Sequence, residues 1–141
     1  MSRSHYTEDC GDDVLVLGRW RGQVTSAIRG KRGQAFLKDL VNALEAMPNK
    51  SLVGDVLRKD GEVCALGALG VARGLDLESL DPEDPEQVAE AFGIAPQLVQ
   101  EIVYINDDDF KFRREETPEN RWYRVYSWAK NQIKEESDSK V

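Results

Sequence analysis

Apolar positions along this chain fall mostly at helical spacing. They recur at Trp20, Val24, Ala27 and Ile28, which predicts a short helix that Gly30 and Gly33 then break. Phe36, Leu37, Leu40, Val41 and Leu44 make one wide stripe, so a second helix is expected from Gln34 to Met47, stopped by Pro48 and Asn49. Ahead of both, Val14 to Leu17 reads as a short strand or as a packing segment. Leu52, Val53, Val56 and Leu57 are ambiguous, and the reading favours a helix over Ser51–Leu57 before a turn at Lys59-Asp60-Gly61. The small-residue run Glu62 to Arg73 predicts a helix in the centre of the core, capped by Gly74. Gly67 and Gly70 each cost such a helix about 1 kcal/mol relative to alanine, which close packing would offset.

Later starts are marked by capping chemistry. Asp84-Pro85-Glu86-Gln87 combines a capping carboxylate, Pro at the first helical position and Gln placed as in a capping box. Val88, Ala89 and Phe92 form the buried side of that helix and Gly93 ends it. Ile94, Leu98, Val99, Ile102 and Val103 give the next helix, and a polar run from Asn106 to Glu116 follows. Thr117-Pro118-Glu119 opens a last helix carrying Trp122, Val125, Tyr126, Ala129 and Ile133. These elements imply a mainly α fold: a single compact orthogonal helical domain of about six or seven helices over 14–135, between a loose N-terminal segment 1–13 and a fraying tail 136–141.

Composition narrows the class. With 141 residues the chain suits one domain, and 40% hydrophobic with 32% charged residues is globular. The longest apolar run, Val63 to Ala72, is too short for a membrane span and holds two glycines. The polar start, with His5, Glu8, Asp9 and Asp12, is unlike a secretory signal. Cys10 and Cys64 lie in dissimilar surroundings and suggest no disulfide framework, so a reducing cytoplasm is expected, with Cys64 a small buried hydrophobe.

Charge is sharply segregated within the net −7. From Val14 to Lys38 every charged residue is basic: Arg19, Arg21, Arg29, Lys31, Arg32 and Lys38. From Gly74 to Phe110 every one is acidic: Asp76, Glu78, Asp81, Glu83, Asp84, Glu86, Glu90, Glu101, Asp107, Asp108 and Asp109. Such runs are often only solvated faces. An acidic segment of this size also focuses a negative potential that repels nucleic acid and attracts a basic protein surface.

Sites of other kinds find less support. Gly93, with Ala89 four residues before it and Val99 and Ile102 six and nine after, resembles the helix-turn-helix of DNA-binding repressors over 85–102. Its outward positions would be Ala95, Pro96, Gln97, Gln100 and Glu101, none of them basic, so two helices closing a core is the simpler reading. DNA binding would then depend on the basic segment 19–38. His5 and Cys10, with the acids Glu8, Asp9, Asp12 and Asp13, fall short of a zinc ligand set, and Asn106 to Asp109 lacks calcium-loop spacing and reads as a surface turn. No metal or other cofactor is expected. Cys64 has no base close in sequence, and glycines 67, 70 and 74 match no phosphate-binding fingerprint. An enzyme with a carboxylate site stays open, because sequence cannot show two acids converging in a cleft.

One set of residues carries a resemblance. Cys64-Ala65-Leu66-Gly67-Ala68, then Asn106-Asp107, then Thr117-Pro118-Glu119 with Arg121-Trp122, is similar to small uncharacterised proteins encoded by bacteriophages and prophages, from about Arg29 to Ile133. The resemblance implies an accessory protein in a bacterial cytoplasm, and such proteins often bind and inhibit host proteins, defence systems included. The leading expectation is a non-enzymatic module that uses Asp76, Glu78, Asp81, Glu83, Asp84, Glu86, Glu90 and Asp107 to Asp109 to bind a basic host surface. The alternative is a DNA-associated regulator using Arg19, Arg21, Arg29, Lys31 and Arg32.

Overall fold

The helical stripes become six α-helices in a computed structural model, which describes residues 14–107 and 116–134. Helix α1 spans Val14–Arg29 and α2 spans Lys31–Ala46. Val14 to Leu17, read as a short strand or a packing segment, is instead the first turn of α1, since a short apolar run carries no period of its own. Only Gly30 separates α1 from α2. Gly33 does not end a helix; it lies inside the first turn of α2, where a Cβ would stand 1.8 Å from the Ala27 carbonyl oxygen. The corner between the helices therefore closes only on glycine. Gln34 clamps it, its Nε2 donating to the carbonyls of Ile28 (2.8 Å) and Gln132 (3.0 Å).

The Ser51–Leu57 segment is extended and bent, not helical. Asp55 has φ 67°, which no right-handed helix tolerates, and the backbone bonds run to distant partners: Leu52 N–H to Pro118, Val53 N–H to Val63. It leads into a hairpin of β1 (Arg58–Lys59) and β2 (Glu62–Val63), paired antiparallel with Arg58 opposite Val63. Asp60 and Gly61, φ 55° and 84°, form the two-residue turn, the geometry that Asp-Gly favours.

Glu62 and Val63 thus belong to β2, and α3 starts later, at Ala65–Arg73. Cys64 caps it, its Sγ accepting the Gly67 N–H at 3.4 Å. The small side chains admit close neighbours as expected, but the neighbours differ from a second helix backbone. A Cβ on Gly67 would sit 1.9 Å from the Leu57 carbonyl oxygen, and one on Gly70 would sit 2.6 Å from Leu77 Cδ2. After a short 3-10 turn at Leu77–Ser79 come α4 (Pro85–Phe92), α5 (Pro96–Asp107) and α6 (Pro118–Gln132). Asp84 and Thr117 cap α4 and α6 through the N–H groups of Gln87 and Asn120, and Gly74 and Gly93 end α3 and α4 at φ 72°. Gln87 reaches past the cap residue to the N–H of Asp81 (2.6 Å), so the capping box is widened by one turn.

Helix α5 is the centre of the molecule, packed by α1, α3, α4 and α6. Leu98, Val99, Ile102, Val103 and Ile105 are buried on it, and so are Gln100, Glu101 and Asn106. Phe36 of α2 meets Phe92 of α4 edge to face at 6.0 Å, and Trp122 of α6 is buried with its Nε1 donating to the Leu44 carbonyl of α2. One core cluster runs from Val24 to Ala129. No helix among the described residues is long and apolar enough to cross a membrane.

Candidate functional site

Ala65, Asn106 and Arg121 converge on the C-terminal end of α5, where an α-helix leaves carbonyls without helical partners. Asn106 is 1% exposed; its Oδ1 accepts the Ala65 N–H (3.1 Å) and its Nδ2 donates to the Val53 carbonyl (2.9 Å). Two guanidinium groups from α6 cover the free carbonyls. Arg121 Nε donates to Asn106 O (3.0 Å) and its Nη1 to Leu52 O (3.3 Å), while Arg124 donates to the carbonyls of Ile105 and Asn106. Glu116 holds Arg124 in place with bonds of 2.7 and 3.0 Å, and lies 3.6 Å from Arg121. Cations at this end also suit the helix dipole. Cys64 and Ala65, Asn106 and Arg121 are therefore parts of one lock joining α3, α5 and α6. Asn106 is no surface turn, and its bonds are satisfied within the fold.

Arg124 is the member that the sequence pattern left unnoticed. Its signal was available: Arg121 and Arg124 stand three apart, so both lie on one face of α6. Asp107 belongs to the same lock, its Oδ1 accepting from the Asp55 N–H (3.1 Å) and from Asn106 Nδ2 (2.7 Å). That puts it about 16 Å along α5 from Pro96, away from the rest of the acidic segment. Asp108 and Asp109 lie outside the described residues, as do segments 1–13 and 136–141 and with them His5, Glu8, Asp9, Cys10, Asp12 and Asp13.

At the other end of α5 the charge is open. Asp76, Glu78, Asp81, Glu83, Asp84, Glu86 and Glu90 are all exposed. Two of these acids sit where the backbone needs them: Asp84 caps α4, and Asp81 Oδ1 accepts the Glu83 N–H (2.9 Å). Among the described residues, Asp76, Glu78, Glu86 and Glu90 join no ion pair. The nearest preceding cation, Arg73, turns away to Asp39 (3.0 Å) and to the Phe92 carbonyl. A cleft of about 470 Å³ opens beside this edge, between Trp20 of α1, the acids Glu83, Asp84 and Glu86, and Pro96.

Glu101 departs from the acidic run. Its side chain is 6% exposed and accepts from Arg21 at 2.8 Å, tying α1 to α5. One basic candidate is thereby engaged in the fold, while Arg19, Arg29, Lys31, Arg32 and Lys38 remain exposed, with Arg29, Lys31 and Arg32 gathered at the α1–α2 corner. The helix-turn-helix reading placed Gln100 and Glu101 outward; both are 5% exposed, because α1 covers that side of α5. A recognition helix must enter the major groove, and α5 is enclosed on four sides.

No protein-family model matches the chain, and neither the curated proteins nor the solved structures yield a match. What the molecule can do is therefore argued from its surface. The enclosed carboxylates Glu101 and Glu116 are each held by arginine, and the Cys64 sulfur serves as a cap. Among the described residues no three His, Cys, Asp or Glu side chains gather as metal ligands.

Proposed function

We propose that this chain is a non-enzymatic phage or prophage accessory protein that binds a basic surface on a host protein in the bacterial cytoplasm, in a nucleic-acid-handling or defence complex. The carrying observation is the exposure of all seven carboxylates between Asp76 and Glu90, with no basic residue among them. Such an edge steers association with a cationic partner and makes its rate salt-dependent. The phage context rests on the resemblance carried by Cys64 to Ala68, Asn106-Asp107, Thr117 to Glu119 and Arg121-Trp122.

The test is capture from bacterial lysate on the immobilised protein, followed by binding kinetics with whatever is retained. Asp76→Lys with Glu78→Lys and Glu90→Lys leaves the caps intact. It should slow association at least tenfold and flatten the salt dependence. Equal rates for variant and wild type would sink the reading.

The cluster of Arg29, Lys31 and Arg32 at the α1–α2 corner supports a second reading, a DNA-associated regulator. It predicts retention of duplex DNA at low salt that is lost on changing these three residues to alanine. Absence of retention at low salt rules it out.

A further inference from the structure

A furrow runs beside α1 whose two ends carry opposite charge. Its middle is a hollow of about 700 Å³ along Gly22, Ser26 and Ala27, facing Ala95 at the α4–α5 corner. This hollow shares Gln97 with the acidic cleft of about 470 Å³ at Trp20, and Ser26, Ala27 and Ala95 with one of about 180 Å³ at Lys31 and Arg32. The three are continuous along α1 from Trp20 to Gly30, about 15 Å at the helical rise. The carboxylates Glu83, Asp84 and Glu86 line the first end, and the cations Lys31 and Arg32 line the other.

Small residues line its middle at Gly22, Ser26 and Ala27, and a Cβ on Gly22 would meet nothing within 4 Å. This glycine nevertheless costs the helix about 1 kcal/mol relative to alanine. Contrast Gly33 and Gly67, which the chain's own backbone requires. Bare backbone at Gly22 leaves room for another backbone to come close.

We propose that this furrow docks a second copy of the same chain, with the two α1 helices antiparallel about a two-fold axis near Ser26. An occupant must present charges in the reverse order along the furrow, and the molecule supplies its own complement once turned around. Trp20 and the acidic end of one copy then face Lys31 and Arg32 of the other, twice by symmetry, and Gly22 of one faces Gly30 of the other. The overall charge of −7 opposes association, but screening at about 0.15 M salt confines that repulsion to roughly 8 Å, while the paired ends meet in contact. Glu83, Asp84 and Glu86 are shared with the host-binding edge, but the variants at 76, 78 and 90 lie outside the furrow, so the two ideas fail separately.

Sedimentation of the purified full chain across micromolar to sub-millimolar concentration, at about 0.15 M salt, should show the 15.9 kDa monomer passing to twice that mass. Gly22→Leu fills the furrow from a position where a Cβ meets nothing within 4 Å, and it should hold the chain as monomer, with its helical circular dichroism intact. Lys31→Glu with Arg32→Glu should be monomeric, and so should Glu83→Lys with Glu86→Lys; mixed one to one, the two variants should recover the dimer, since the facing ends are again opposite in net charge. A monomer at all concentrations, a dimer indifferent to Gly22→Leu, or reversed variants that do not recombine would each overturn the proposal.

Discussion

The two ends of α5 treat polar groups in opposite ways. At its C-terminal end Asn106, Arg121, Arg124 and Glu116 use their donors and acceptors on one another and on the backbone of three elements. At its N-terminal end the carboxylates beside Trp20 and Pro96 face an open cleft, and the exposed acids continue along the chain to Asp76 and Glu90. The residues most distinctive as a sequence pattern are the ones the fold consumes. The residues open to a partner look, letter by letter, like an ordinary solvated acidic run. A distinctive motif is thus no guide to a binding surface until its hydrogen bonds have been accounted for.

The sharpest way to break the comparison is to empty the lock. Arg124→Ala strips the α5 carbonyls of a donor and takes from Glu116, 7% exposed, the guanidinium from which it accepts at 2.7 and 3.0 Å. The expected loss is about 3 kcal/mol, the usual cost of removing one partner of an enclosed pair, measured as the shift in a urea unfolding midpoint. A loss under about 1 kcal/mol would mean that water reaches Glu116 and the lock is not closed.

Asp84 belongs to both descriptions, since it lines the cleft and caps α4. Asp84→Ala should cost about 1 kcal/mol through the lost cap, whereas Glu86→Lys, two residues further along the same edge, should stay within about 0.5 kcal/mol. Equal effects in the same urea assay would erase the distinction between acids that hold the fold and acids that face outward.

The smallest effect lies on the seam of α2 and α6, away from both ends. Tyr126 stacks on Trp122 at 4.7 Å and donates its hydroxyl to Glu45, and this hydrogen bond, with the carboxylate's charge, raises its pKa above the ordinary 10.0. The folded state therefore holds the phenol proton more tightly than the unfolded state does. Its contribution to stability is whole below pH 10 and is lost as pH rises through the folded pKa. Tyr126→Phe should remove a phenolate step above pH 10 from an absorbance titration; a titration that keeps every such step would show that another tyrosine carries it.

Local chemistry was legible without the fold. The stripe of α2, the caps Asp84 and Thr117, the turns at Gly74 and Gly93 and the Asp60-Gly61 hairpin turn all stand where their residues predict, because each depends on contacts within a turn or two of chain. Ser51–Leu57 was not legible. Seven residues with four apolar positions satisfy a helix turn as well as an extended segment, and the choice was made by the backbone of Pro118 and Val63 and by the close approach of Leu57 to Gly67.

The candidate surface divides in the same way. The sequence by itself determined a mainly helical domain, its principal caps, and the segregation of basic from acidic residues along the chain. Only the tertiary structure decided which charges face outward: it buried Glu101 against Arg21, spent Asp107 on the α5 lock, left Asp76 to Glu90 in water, and laid a furrow between an acidic and a basic end. Periodicity is set by neighbours three and four residues away, which the chain carries with it. The exposure of a side chain is set by elements dozens of residues distant, whose arrival no local pattern records.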